Sequence, residues 1–207
     1  LVMSRHPLSG IVIAGGRSRR FGADKRRLRL WGDHGPHLLG HAVALLQPLC
    51  VDIIVVMNDG VAWPDLPARI VVDEQPGSGA LGGVISGLQA MQTAAALVIA
   101  ADMPLIVPEL LAALADWSFT GDVLAPTDPS SPDLPQPLLA VYRQSALAPL
   151  RQVFAAGERR LQVALTSLRW VDPGPELWQR YDPAARSLVN INTPDDLARI
   201  QHWLKKS

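Results

Sequence analysis

Three short apolar runs, each ended abruptly by Gly, Asn or Asp, constrain the possible folds of this chain more than any other feature. Residues 9–14 (SGIVIA) stop at Gly15-Gly16, residues 51–57 (VDIIVVM) at Asn58-Asp59-Gly60, and residues 96–101 (ALVIAA) at Asp102. Runs of this length read as strands, and their continuous apolar character means that both faces are buried. A further short strand, 69–72, ends at Asp73. Helical spacing fills the gaps. Leu38, Leu39, Ala42, Val43, Leu45, Leu46 and Leu49 form one apolar stripe, and Pro108 opens another helix at an N1-like position, carrying Leu110, Leu111 and Leu114 inward. A glycine-rich loop at 76–83 opens a helix that ends near Met91.

The second half continues the alternation. Residues 126–137, rich in Pro, Asp and Ser, are expected as a loop between strands near Val123 and Val141. Helical segments are expected at 146–156 and 160–168, and a late strand at 187–192 (SLVNIN). Thr193-Pro194-Asp195-Asp196 supplies an N-cap, a first-turn proline and two acids at a positive helix end, so the last helix starts there. The pattern predicts an α/β fold, a mainly parallel sheet with helices on both faces, in a single domain over 1–207 with residues 1–8 as a flexible extension. In such sheets ligands bind beyond the carboxyl ends of the strands. That rule gathers Gly15, Gly16, Asn58, Asp73 and Asp102 along one edge.

Charge adds a local feature to this frame. The 207 residues are 48% hydrophobic and 18% charged with a formal net charge of zero, a globular composition unsuited to coating nucleic acid. Yet Arg17, Arg19, Arg20, Lys25, Arg26, Arg27 and Arg29 crowd one stretch against the single acid Asp24. A concentrated cationic loop on a neutral protein suits a local anion such as a polyphosphate. The lone Cys50 excludes an internal disulfide and is expected as a buried small hydrophobe. Gly, Pro or charge interrupts every apolar stretch before membrane-spanning length, so no membrane partner is expected. Residues 1–7 show no basic segment leading into a long apolar one, so no secretion signal is read there and a cytoplasmic location is expected. The five histidines share no metal spacing, no GxSxG motif occurs, and the scattered tryptophans form no platform for bases.

Three constellations could carry chemistry. The first is Ala14-Gly15-Gly16-Arg17-Ser18-Arg19-Arg20-Phe21-Gly22-Ala23-Asp24-Lys25. Its glycines admit close backbone approach to phosphate oxygens, and the cations beyond them can neutralise the remaining charge. A solvated basic turn is the plain alternative. The second is Asp102, either a Mg²⁺ ligand opposite a phosphate loop or a turn or cap Asp ahead of Pro104. The third is the run from Gly77 through Gly79 to Gly83, which could lay backbone against a base or form a tight turn under helix–sheet packing. Asn190 and Asn192, flanking Ile191, point to one side of the expected late strand.

These residues also form a recognisable series. Ile13-Ala14-Gly15-Gly16 followed by Arg20-Phe21-Gly22-Ala23-Asp24-Lys25 resembles the LAGG…RxGxDK signature of the molybdenum cofactor guanylyltransferases. Gly79-Ala80-Leu81-Gly82-Gly83 is similar to the family's GPLAG segment, and Ala101-Asp102-Met103-Pro104 to its metal-binding acid. Pro137-Leu138-Leu139-Ala140-Val141-Tyr142, Gly157-Glu158-Arg159-Arg160 and the stretch from Val189 to Leu197 resemble its later motifs, in the right order. The resemblance implies a Rossmann-like, GT-A-type fold with one antiparallel strand, and transfer of GMP from GTP to the terminal phosphate of molybdopterin or Mo-molybdopterin. Carried over by position, Ile13, Ala14, Gly15 and Gly16 would lie against GTP together with Asn58, Asp73, Gly79 and Gly83. Lys25 and Arg20 would stabilise phosphate charge, and Asp102 would hold Mg²⁺. Arg159, Arg160, Asn190 and Asn192 would face molybdopterin.

The resemblance also implies small-molecule substrates, molybdoenzyme chaperones as protein partners, and a monomer or weak homo-oligomer. The chain departs from the family pattern in Arg26-Arg27 after the lysine, in the longer stretch at 31–36, and in Gln136 where a histidine is usual. A cytidylyltransferase for the same cofactor would carry LAAG in the nucleotide loop, so Gly16 favours guanine. An idle nucleotide-binding scaffold would be expected to lack Lys25 or Asp102, and both are present.

Overall fold

Apolar residues on both faces of the central strands explain the architecture directly. The computed structural model describes residues 7–15, 24–32, 34–73, 75 and 78–204. Among them, β1 (Leu8–Ile13), β2 (Asp52–Met57), β3 (Arg69–Val72) and β4 (Ala95–Ala100) run parallel, with β1 at their centre and β2 and β4 on either side of it. Two crossovers make this possible: α1 (Leu38–Leu46) links β1 to β2, and α2 (Gly79–Ala90) links β3 to β4. Ile11, Ile13, Ile54, Val56, Ala96 and Val98 pack toward α2, while Val12, Ile53, Val55, Met57, Leu97 and Ile99 pack with α1. Each fully buried Leu or Ile contributes roughly 1.5–3 kcal/mol relative to leaving it in water, so this double alternation fixes the register.

Beyond α3 (Pro108–Asp116) the sheet changes direction. It is completed by β5 (Val123–Leu124), β8 (Leu139–Arg143) and β9 (Trp170–Val171), giving the order β3-β2-β1-β4-β8-β5-β9. Strand β8 is antiparallel to both its neighbours. Its Tyr142 is fully buried and donates from Oη to Pro137 O at 2.8 Å. Helices α4 (Leu147–Ala155) and α5 (Leu161–Ala164) join α2 on one face, and α6 (Glu176–Tyr181) joins α1 and α3 on the other. Helix α7 (Pro194–Leu204) sits over a smaller cluster of Leu30, Leu38, Ile191 and Ile200.

Some expectations are corrected. Residues 126–137 contain a small antiparallel hairpin, β6 (Thr127–Asp128) with β7 (Ser131–Pro135), rather than a bare loop. The expected helix over 160–168 is α5 followed by a 3₁₀ turn at Leu165–Ser167. The segment 187–192 is not a strand: a 3₁₀ turn at Arg186–Leu188 leads into extended chain. The reason is topological. Strand β4 already has β1 on one side and β8 on the other, so the segment crosses the strand end and donates one bond, Ile191 N–H to Asp102 O at 2.9 Å. Cys50 is half-buried, and burial still pushes its thiol up to about 12, which disfavours the thiolate at neutral pH.

Candidate active site

The parallel strands deliver their ends to one edge of the sheet, and the chemistry-bearing residues follow them there. Gly15 lies just beyond β1, Asn58 beyond β2, Asp73 beyond β3 and Asp102 beyond β4. Lys25 comes from a 3₁₀ turn, Lys25–Arg27, capped by Asp24, whose side chain accepts from Arg26 N–H at 3.1 Å. That turn carries Lys25 Nζ to 3.1 Å from Asp102 Oδ2 and 2.6 Å from Ile191 O. Three distant segments thus meet at one ammonium group. The side chains of Lys25 and Asp102 are 17% and 31% exposed, so solvent screening limits the pair to about 1 kcal/mol or less. Stability does not account for it.

Asp102 is not the cap of the helix that follows. Helix α3 begins at Pro108, with Val107 at its N-cap position. Among the described residues the Asp102 carboxylate takes its hydrogen bond from Lys25, which leaves most of its four lone-pair sites free. No group of three His, Cys, Asp or Glu side chains able to hold a metal ion occurs among the described residues. A cation here would therefore take one protein carboxylate and fill its shell with water and phosphate oxygens. That donor set fits Mg²⁺, which keeps several waters, and does not fit a metal needing an all-protein cage.

On the nucleotide side, Gly15 is exposed, and a Cβ built on it would stand 3.7 Å from Asn58 N and 3.8 Å from Asn58 Cγ. Gly15 and Asn58 therefore stand side by side at the strand ends. Ile13 and Ala14 are buried, and their backbone is partly committed: Ala14 N–H donates to Val56 O at 2.8 Å and Ile13 O accepts from Ala101 N–H at 3.0 Å. Asp73 braces its own loop, accepting from Ser78 Oγ and, at 3.2 Å, from Gln75 N–H. A side chain at Gly82 would collide with this contact, because its Cβ would fall 3.0 Å from Asp73 Oδ2 and closer still to Ser78. From the sequence, Ser78 and Gly82 were read only as members of the glycine-rich run, with no role of their own.

The glycine run divides. Gly79, at φ +63°, opens α2 at the exposed lip, where a Cβ would lie 3.7 Å from Arg159 O. Gly83 faces the sheet instead, 3.4 Å from Ile13 Cγ2, so helix–sheet packing accounts for it. Gly16 and Arg20 lie outside the described residues.

On the far side, Gly157 at φ +100° ends α4 and turns the chain into the two arginines. Arg160 pairs with Glu158 at 3.0 Å, and that guanidinium, with two backbone N–H groups, holds the Glu158 carboxyl down at about 2. Arg159 donates to Phe154 O at 2.7 Å with its guanidinium 3.9 Å over the Phe154 ring. A cavity of about 750 Å³ separates β3, α2 and α4, with Asp73, Gly82, Ser86, Arg151 and Arg159 in its lining. Lys25 and Asp102 do not line it. Asn190 and Asn192 are exposed on either side of buried Ile191, next to Lys25 through the Ile191 carbonyl. Asp196 fixes that segment by accepting from Asn192 N–H at 3.0 Å and Thr193 N–H at 2.9 Å, while Thr193 Oγ1 accepts from Asp196 N–H. This is a reciprocal cap of α7.

Comparison with known proteins shows what this chain is similar to. A family model described as a MobA-like NTP transferase domain matches residues 10–171. A probable molybdenum cofactor guanylyltransferase of Chloroflexus aggregans is 76% identical over 197 residues, covering 95% of each chain. A molybdenum cofactor guanylyltransferase of Pseudomonas putida is 34% identical over 193 residues, covering 92% of this chain and 96% of its own. Among solved structures, molybdopterin-guanine dinucleotide biosynthesis protein A from Archaeoglobus fulgidus superposes with a TM-score of 0.78 at 30% identity. It covers 97% of this chain and 100% of its own.

Proposed function

We propose, on the premise that this chain belongs to the MobA-like NTP transferase domain family, that it transfers GMP from GTP to the terminal phosphate of molybdopterin or Mo-molybdopterin. A cofactor phosphate oxygen forms a bond to the α-phosphorus, the α–β bridging P–O bond breaks, and its electron pair leaves with pyrophosphate. The observation that carries this reading is the convergence of Lys25, Asp102 and the Ile191 carbonyl beyond a parallel sheet edge.

The residues divide the work. Gly15, Asn58 and Asp73 take the guanosine side, with Ile13, Ala14, Gly16 and Gly79 shaping the loop around it. Lys25, anchored by Ile191 O, would give its remaining donor to a phosphate oxygen, and Arg20 would share that charge. Asp102 supplies the one protein carboxylate for Mg²⁺. When bound, that ion supplies positive charge to the α-phosphate and the departing pyrophosphate. No general base is required, because the attacking phosphate is already anionic at neutral pH. Arg159, Arg160, Asn190 and Asn192 offer donors to the pterin side. The reaction belongs in the cytoplasm, carried out by a monomer or weak homo-oligomer that hands its product toward molybdoenzymes and their chaperones. No described helix is long and apolar enough to cross a membrane.

Turnover of the purified chain with molybdopterin, Mg²⁺ and each of the four nucleoside triphosphates in turn tests the reading. GTP should be preferred by a wide margin, since buried donors and acceptors reject a base that leaves them unpaired. Equal turnover with CTP would replace the guanylyl reading by a cytidylyl one, and no turnover with any nucleotide would remove catalysis altogether.

A further inference from the structure

Among the cations after Lys25, Arg26 is set apart: Arg27 and Arg29 are exposed. Arg26 turns inward, its side chain 13% exposed. Its Nε donates to Asp24 Oδ1 at 2.8 Å and its Nη2 to Asp24 Oδ2 at 2.9 Å. The other edge of the same guanidinium forks onto Asp59, Nη1 to Oδ1 at 2.9 Å and Nη2 to Oδ2 at 2.7 Å, with Met57 Sδ at 3.2 Å from Nη1. Arg27 lies over the buried Trp63 ring at 4.4 Å. One planar cation therefore joins the turn that carries Lys25 to the turn Asn58-Asp59-Gly60 beyond β2.

We propose that Arg26 is a positioning residue that ties the nucleotide-side turn at Asn58 to the phosphate-side turn at Lys25, so that both meet GTP at a fixed spacing. The inference rests on the guanylyl-transfer reading given above. Asn58 precedes Asp59, and Lys25 precedes Arg26, so the fork acts one residue away from each group it positions. Asn58 also flanks Gly15, which extends the effect to the nucleotide loop. A guanidinium suits this task because its fixed fork satisfies two carboxylates in set directions, whereas a lysine ammonium is a point charge on a flexible stem. Without the tie, Asn58 would sample positions in which base and phosphates cannot both be engaged, and nucleotide binding would suffer before the chemical step does.

The test compares the full chain with Arg26→Ala, Arg26→Lys, Asp59→Asn and the Arg26→Ala/Asp59→Asn double variant in steady-state guanylyl transfer, alongside thermal melts. Arg26→Ala should raise KM for GTP about tenfold with kcat held within about threefold, and should erode the preference for GTP over CTP. Arg26→Lys should restore little of this, because it cannot fork onto both acids. Asp59→Asn should shift KM in the same direction, and the double variant should be no worse than Arg26→Ala, the non-additivity expected of residues acting as one unit. A lower melting temperature with unchanged KM and base preference in Arg26→Ala would overturn the proposal. If that variant does not fold, wild-type KM and preference in Arg26→Lys would overturn it equally. Failure of the wild-type chain to transfer GMP would instead fell the functional reading, so the two failures are distinguishable.

Discussion

At Asp102 a single carboxylate oxygen meets a single ammonium at a partly exposed position, so the carboxylate remains open to solvent or to a cation. Lys25 has three donors and uses two, on Asp102 and Ile191, while Asp102 accepts one of about four possible bonds among the described residues. Asp102→Asn keeps the size and an acceptor oxygen but removes the charge a hard cation needs. With a partly exposed pair worth about 1 kcal/mol at most, its melting temperature should drop by no more than about 2–4 °C in a chain of this size. Turnover should fall by roughly two to three orders of magnitude, the scale of losing a transition-state charge partner, and the Mg²⁺ requirement should rise. Titration of activity against Mg²⁺ alongside calorimetry checks both; wild-type turnover at low Mg²⁺ would remove Asp102 from metal holding. Lys25 and Asp102 were legible in the sequence because each is a charged side chain just past a glycine loop or an apolar run. The Ile191 carbonyl that anchors Lys25 was not, since a backbone acceptor leaves no mark on residue identity. Arg26 was read only as one cation of a loop suited to an anion, because its partner Asp59 lies on another strand end and nothing local marks the pair.

Helix α2 shows how closely an element is fitted to the sheet beneath it. A Cβ at Gly87 would stand 2.7 Å from Ile11 Cγ2 and 3.3 Å from Val56 Cγ2, inside the packed core, whereas one at Gly83 would make ordinary contact with Ile13 at 3.4 Å. Replacing a helical glycine by alanine gains roughly 0.5–1 kcal/mol of propensity, while forcing a methyl into a filled core costs typically 1–3 kcal/mol. The clash wins at Gly87 and not at Gly83. Gly87→Ala should therefore be destabilised by about 1–2 kcal/mol in urea unfolding, and Gly83→Ala neutral or slightly more stable. A Gly87→Ala protein as stable as the parent would mean that α2 rides higher on the sheet than described. From sequence alone these glycines could serve ligand or packing equally, because absence of a side chain is the requirement in both cases. Elements whose apolar period is strong, such as β1, β2, β4 and α1, were read correctly from that period. The β6–β7 hairpin and the extended segment at 187–192 were not. The hairpin has only two paired registers, and the segment alternates like a strand but finds both sides of β4 already occupied.

Across the whole molecule, the edge of four parallel strand ends was predictable, because apolar strands alternating with helices imply crossover connections that leave the strands parallel. The closure of that edge by the C-terminal segment was not, since it depends on contacts between residues 25, 102 and 191 that no local pattern encodes. The charge balance of the entire fold then makes a joint prediction about pH. His41 lies against the Trp31 ring at 4.2 Å and donates from Nε2 to Pro104 O at 3.1 Å, and burial lowers its pKa below the ordinary 6.5. His37 is lowered by burial and by Arg29 and Arg27, and its Nδ1 accepts Gly40 N–H at 2.8 Å to cap α1, a bond that protonation abolishes. Both bind protons more weakly folded than unfolded, so their contribution is present above 6.5 and is lost as pH falls through their lowered values. Asp59 is lowered chiefly by its bond from Arg26, and Asp122 by Arg169 and Ser145, so their contributions are present above 3.8 and lost only on further acidification. Unfolding free energy should hence be flat between neutrality and about pH 8, decline once below 6.5, and decline again below 3.8. Urea titrations at about pH 8, 5 and 3 resolve the two steps. His41→Gln, which takes up no proton in this range, should shrink the first step and leave the second untouched. Equal stability of the parent at about pH 8 and 5 would mean that neither imidazole is held neutral by the fold.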